Sequence, residues 1–187
     1  LKIMKTINIY QPSLGKEELN AIKEVFDSNW LGKGPKTDQF KEDFASKLIE
    51  EQFFGVGYTT VNPKKLLTIS SCTEGLFQAV DLYVNKGDEV ILPSISFIGA
   101  ANAIVAKGAT PVFCDVNPRT LNIEDQYIKP KITSNTKALI LLHYAGVPCD
   151  MDPIISLCKD FNIKLIEDTA NSPFSTYKGK HTGTIGD

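Results

Sequence analysis

A mainly parallel α/β sheet with helices on both faces is the fold class this sequence predicts, and three observations predict it. Short apolar runs alternate along the chain with stretches of helical periodicity, joined by short connections. The run Ile163, Leu165 and Ile166, broken only by Lys164, reads as a strand buried on both faces and stops at two adjacent acids, Glu167 and Asp168. Small residues, Thr169, Ala170 and Asn171, follow where a parallel strand opens into its crossover loop. Ligands of open α/β sheets bind at such carboxyl ends. A carboxylate is expensive to bury there unless a cation meets it, so Asp168 reads as a ligand contact.

The elements follow in order. Residues 5–10 alternate apolar and polar up to Gln11-Pro12, as an edge or surface piece does. Ser13 is placed to cap a helix with Glu17 and Glu18 in its first turn, and Leu19, Ile22, Val25 and Phe26 recur at helical spacing. Residues 29–35 break that helix. Thr37 then caps a second one, with Phe40, Phe44 and Leu48 on its face; residues 55–63 are loop-like. Residues 66–69 read as a strand and 70–73 as a turn, before a helix through Leu76, Ala79, Val80 and Tyr83. Strand 89–92 stops at Pro93, helix 98–107 ends at Gly108, and strand 110–114 closes at Asp115. A short helix, 126–132, is interrupted at Pro130; strand 137–142, helix 152–161 and strand 163–166 complete the pattern. Residues 1–60 read as an N-terminal helical arm, and 61–187 as part of one large domain.

Composition narrows the class. The 187 residues are 42% hydrophobic and 22% charged with a net charge of −2, ordinary values for a soluble globular chain without the basic excess that nucleic acid calls for. No apolar run reaches membrane-span length, and the first residues lack a signal-peptide core, so no membrane partner is expected and Met4 is a candidate initiator. The four cysteines form no C-x-x-C pair and only two histidines accompany them, so no metal site is expected. Unpaired thiols point to the cytoplasm and to core packing.

Chemistry gathers at the strand ends. Ser70 to Leu76 joins a strand to a helix through hydroxyl residues: a phosphate cradle on free helix amides, or a plain Ser/Thr cap. Phe97 follows the next strand, as a ring that stacks on a flat ligand or as core. His143 leaves a third strand end, as a catalyst or as a hydrogen-bonded structural residue. No complete nucleotide-binding glycine motif occurs. With Asp168, these features suit a flat, phosphorylated, basic heteroaromatic. Pyridoxal 5′-phosphate is such a molecule, with Asp168 keeping its pyridine nitrogen protonated.

The chain resembles the DegT-type (DegT/StrS) sugar aminotransferases. The matching pieces are Trp30-Leu31-Gly32-Lys33-Gly34-Pro35, Ser70-Ser71-Cys72-Thr73-Glu74-Gly75-Leu76, the stretch from Pro93 to Ile104, that from His143 to Met151, Glu167-Asp168-Thr169-Ala170-Asn171, and Tyr177-Lys178-Gly179-Lys180. The resemblance implies a fold-type-I, aspartate-aminotransferase-like large domain, truncated. It also implies pyridoxal phosphate as cofactor, a nucleotide-linked keto sugar and glutamate as substrates, and a homodimer. Thr73 and the amide of Glu74 would hold the phosphate, Phe97 would stack on the ring, and Asp168 would pair with the ring nitrogen. Asn171 falls where the family has Gln or His near the phenolic oxygen; Glu74 and Gly75 replace small residues. The family's Schiff-base lysine is expected beyond Asp187, so no catalytic residue is assigned within the chain. The implied function is amino transfer to the sugar, for surface polysaccharide or deoxyamino-sugar biosynthesis. A dehydratase of the same family, with histidine at the lysine position, is the alternative, as is a shortened non-catalytic remnant.

Overall fold

A computed structural model describes residues 11–50 and 61–187; the expected edge piece 5–10 and most of the expected loop 55–63 lie outside them. The chain divides after Asp43 into two compact units.

The first unit holds helix α1 (Lys16–Asp27) and the start of α2 (Pro35–Glu50). The cap of α1 is Gly15, not Ser13: Glu18 reaches back and Oε2 accepts the Gly15 amide at 2.6 Å. A hydroxyl at position 13 comes two residues too early to serve the first turn. The second cap moves likewise from Thr37 to Gly34, whose carbonyl accepts the amides of Thr37 (2.9 Å) and Asp38 (3.1 Å). Pro35 then takes the first helical position, where its missing N–H costs nothing. Between the helices the Trp30 indole donates to the Lys33 carbonyl at 2.9 Å, and its ring leaves no room for a side chain at position 34. The apolar stripe of α1 is not core: Leu19, Ile22 and Phe26 are exposed.

The second unit is a four-stranded parallel sheet in the order β2-β1-β3-β4. The strands are β1 (Glu89–Pro93), β2 (Thr110–Cys114), β3 (Thr136–Leu142) and β4 (Lys164–Asp168). The connecting helices are α3 (Cys72–Tyr83) before β1, α4 (Ile98–Ala106), α5 (Asp125–Ile128) and α6 (Met151–Phe161). Alternation along each strand separates two cores. Val90, Leu92, Ala138 and Ile140 pack with α3 and α4 on one face; Ile91, Leu139, Leu141 and Leu165 pack with α5 and α6 on the other.

Connections therefore leave β1 and β3 toward opposite faces. The crevice between the carboxyl ends of those strands is a topological switch point. Register sets Leu142 beside Asp168 and Pro93 beside Cys114, so the loops after β1, β3 and β4 open at one edge.

Two expectations change. Residues 66–69 form no strand: a 3₁₀ turn at Pro63–Lys65 precedes them, and among the described residues they have no ladder partner, without which a strand's backbone groups stay unpaired. A two-stranded hairpin, β5 (Thr176–Tyr177) with β6 (Lys180–His181), was not anticipated. Lys178 (φ 49°) and Gly179 (φ 81°) are both left-handed, the geometry of a tight two-residue hairpin turn. Two-residue strands are too short to show a period. Among the described residues no helix is long and apolar enough to cross a membrane.

Candidate functional site

The first turn of α3 is a capped helix start. Ser71, in extended conformation, caps the helix by accepting the Glu74 amide on Oγ at 3.2 Å. Glu74 itself is exposed and folds back, its Oε2 accepting from the Ser70 amide (2.9 Å) and hydroxyl (2.7 Å). The amides of Cys72 and Thr73 have no acceptor among the described residues, as expected of a helix's first positions.

Phe97 is the extended residue that precedes α4 and is 65% exposed, so its ring is not core. Gly99, two residues on, lies close to both that ring and Thr73. A Cβ at position 99 would lie 3.0 Å from the Phe97 ring and 3.1 Å from the Thr73 hydroxyl. The absence of a side chain lets the Phe97 ring and the Thr73 hydroxyl lie this close to the helix start.

Asp168 ends β4 and is buried. Both hydrogen bonds that the structure gives its side chain fall on Oδ1: the Ala170 amide donates at 3.0 Å and the Cys72 thiol at 3.7 Å. The Cys72 contact ties the end of β4 to the first turn of α3. Thr73, Phe97 and Asp168 are thus drawn together at the switch-point edge. Asn171 lies exposed in the following turn, its carbonyl facing Gly146, and its side chain has no hydrogen bond among the described residues.

Beside this group sits a second arrangement that sequence reasoning did not assemble. His143 is wholly buried; Nδ1 accepts the Cys149 amide at 3.0 Å, so Nε2 carries the proton and donates to Glu167 Oε2 at 3.0 Å. Glu167 also accepts the amides of Gly183 (2.9 Å), Ile185 (2.8 Å) and Gly186 (2.6 Å). Burial pushes the Glu167 carboxyl up, but the His143 hydrogen bond and the three amides outweigh it and hold the group below its ordinary value. His143 is therefore structural, since both ring nitrogens serve the protein. The available signal was the acid pair itself: a strand end that carries two carboxylates needs donors for both.

Thiols sort by burial. Cys114, Cys149 and Cys158 are core, and burial pushes them up to about 11, 12 and 11. Cys72 is not core, contrary to expectation: it is exposed, beside Asp168.

Fold and strand-end geometry together define an open α/β domain of the doubly wound kind, with a polar surface at its switch point. Residues 12–187 match the family model described as the DegT/DnrJ/EryC1/StrS aminotransferase family, and the chain belongs to that family. The dTDP-4-dehydro-2,3,6-trideoxy-D-glucose 4-aminotransferase of Saccharopolyspora spinosa is 46% identical over 182 residues, 97% of this chain and 44% of the relative. The crystal structure of the aminotransferase TlmJ from Streptoalloteichus hindustanus superposes with a TM-score of 0.87 at 47% identity, covering 97% of this chain and 47% of that one. A putative sugar aminotransferase, Spr1654 from Streptococcus pneumoniae in its PLP form, gives a TM-score of 0.81 at 26% identity over 98% of this chain and 47% of that one. The chain spans less than half the length of these relatives.

Proposed function

We propose that this chain forms the cofactor-holding part of a sugar aminotransferase that moves an amino group, from glutamate, to a nucleotide-linked keto sugar with pyridoxal 5′-phosphate. The observation that carries the reading is the meeting of Asp168, buried at the end of β4, with the first turn of α3 and the exposed ring of Phe97. The residues fit the cofactor. The amides of Cys72 and Thr73 and the Thr73 hydroxyl suit a phosphate at a helix N-terminus. In the present geometry Cys72, rather than Glu74, offers the second amide, because the Glu74 amide serves the Ser71 cap. The exposed Phe97 ring offers a face for a flat ring to stack on, and Asp168 suits a protonated ring nitrogen. Asn171, exposed in the turn after β4, would serve the cofactor's phenolic oxygen.

The bound cofactor supplies an electron sink for charge developing at the substrate carbon. The chain's own part is to hold and orient it: an anion at α3, an aromatic face at Phe97, a carboxylate at Asp168. Lys178, in the hairpin turn, is paired with Asp152 of α6 and takes no part; the Schiff-base lysine belongs, in this reading, beyond Asp187. Residues 1–60 act as an arm and 61–187 as the large-domain portion. The active form is a cytoplasmic homodimer, which the exposed apolar residues of α1, Leu19, Ile22 and Phe26, support as surface to be covered.

The test is an absorbance titration of the full-length protein with pyridoxal phosphate, followed by amino transfer from glutamate to a nucleotide-linked keto sugar. Saturable binding that falls by tenfold or more in Asp168→Ala is expected, since a charge-assisted hydrogen bond is worth about 1.5–3 kcal/mol. Absence of any saturable spectral change in the unaltered protein overturns the reading.

A further inference from the structure

We infer that the thiol of Cys72 is a positioning residue for Asp168: it holds Oδ1 and so reserves Oδ2 for a cationic N–H of the ligand. The inference rests on the cofactor reading above and adds a role to a side chain, since the phosphate contacts draw on the Cys72 amide alone. Three observations carry it. Both hydrogen bonds to the Asp168 side chain, from Ala170 N at 3.0 Å and Cys72 Sγ at 3.7 Å, fall on the same oxygen. Asp168 is 5% exposed, so water contributes little to its orientation. The donors come from different elements. Ala170, two residues on, closes a local turn with the carboxylate, whereas Cys72 is carried on α3 and holds the same oxygen from a second, distant element.

The thiol remains a donor there. A helix N-terminus ordinarily favours the thiolate. At Cys72 partial desolvation of the sulfur, and then the charge and hydrogen bond of Asp168, push the thiol the other way, so the proton stays on sulfur and points at the carboxylate. A thiolate at that place would repel Asp168 and leave two anions side by side. With Oδ1 saturated by two donors, an incoming protonated ring nitrogen finds one acceptor, Oδ2, already aimed.

The experiment compares full-length unaltered protein, Cys72→Ala, Cys72→Ser and Asp168→Asn. Pyridoxal phosphate affinity is read by absorbance titration, together with the position of the band of the ring-protonated cofactor. Cys72→Ala is expected to weaken binding by about tenfold, the worth of one hydrogen bond to a charged group, and to shift that band at an unchanged thermal midpoint. Cys72→Ser restores a donor and returns affinity to within about threefold of the unaltered protein. In the absence of cofactor, Asp168→Asn removes the charge that disfavours the thiolate, so alkylation of Cys72 accelerates by about tenfold at fixed pH. Unaltered binding and band in Cys72→Ala overturn the positioning role while leaving the cofactor reading intact. No binding by the unaltered protein overturns both. An alkylation rate indifferent to Asp168→Asn overturns the thiol–carboxylate contact itself.

Discussion

Nε2 of His143 donates to Oε2 of Glu167 across 3.0 Å, with both side chains buried, and the same carboxylate gathers the amides of Gly183, Ile185 and Gly186. One side chain thus joins the ends of two neighbouring strands to the turn after the hairpin. It stands next to Asp168, so what loosens Glu167 also loosens the residue assigned to the ligand.

Glu167→Ala should destabilise the fold by about 3–5 kcal/mol, because it leaves a buried N–H and three amides without an acceptor. Glu167→Gln should recover only part of this, since its amide nitrogen would face protein N–H groups. Chemical unfolding monitored by circular dichroism checks both, and a loss below about 1 kcal/mol in Glu167→Ala would contradict the account.

The same carboxylate sets an acid limit. Its folded value lies below its unfolded one, so its contribution is fully present above the unfolded value and is lost as pH falls through the folded value. Asp187, whose burial is outweighed by Lys164 and the Leu165 amide, has the same sign. Melting temperatures should fall steeply below about pH 4.5, and the slope should be shallower in Glu167→Gln.

Gly186 admits no side chain. A Cβ there would lie 2.6 Å from the Leu165 carbonyl, on the segment where the Asp187 amide donates to that carbonyl at 2.8 Å. Gly186→Ala should cost about 1–3 kcal/mol by pushing residues 185–187 off the edge of β4. Gly87→Ala has nothing within 4 Å and should suffer only the strain of its positive φ. Thermal unfolding of the two variants separates the effects.

At the candidate site the informative variant is Gly99→Ala. Its methyl would occupy the space between the Phe97 ring and the Thr73 hydroxyl, while alanine favours a helix over glycine by about 1 kcal/mol. Phe97 and Thr73 must each give by a few tenths of an ångström, which offsets that gain, so stability should change by less than about 1 kcal/mol while pyridoxal phosphate affinity falls by about tenfold. Loss of stability with affinity unchanged would show that the space is structural.

Native protein should react with a thiol reagent at Cys72 alone among its four cysteines, since the others are buried, and at all four after denaturation. Mass mapping of the labelled peptide gives the answer directly.

The elements were legible because their signals are local. Helical spacing in Leu76, Ala79, Val80 and Tyr83 and the apolar runs of β1 to β4 can be read within a dozen residues, and Asp168 stood out as an acid where an apolar strand ended. The caps of α1 and α2 were misplaced by two or three residues, since Gly15 and Gly34 cap without a side chain of their own and their signals, Glu18 and Pro35, lie inside the helices. The failure at 66–69 has a different cause: β propensity describes a surface that suits pairing, not a partner.

What the sequence by itself determined was the four strands of the parallel sheet, the helices that connect them, and which residues could carry charge to their ends. The order β2-β1-β3-β4, the face each helix covers, the pairing of His143 with Glu167 across 24 positions and that of Cys72 with Asp168 across 96 were decided only in the tertiary structure. Periodicity follows from backbone geometry repeated along neighbouring residues. A buried donor finds its acceptor only once packing has brought distant segments together and removed the water that would otherwise have served both.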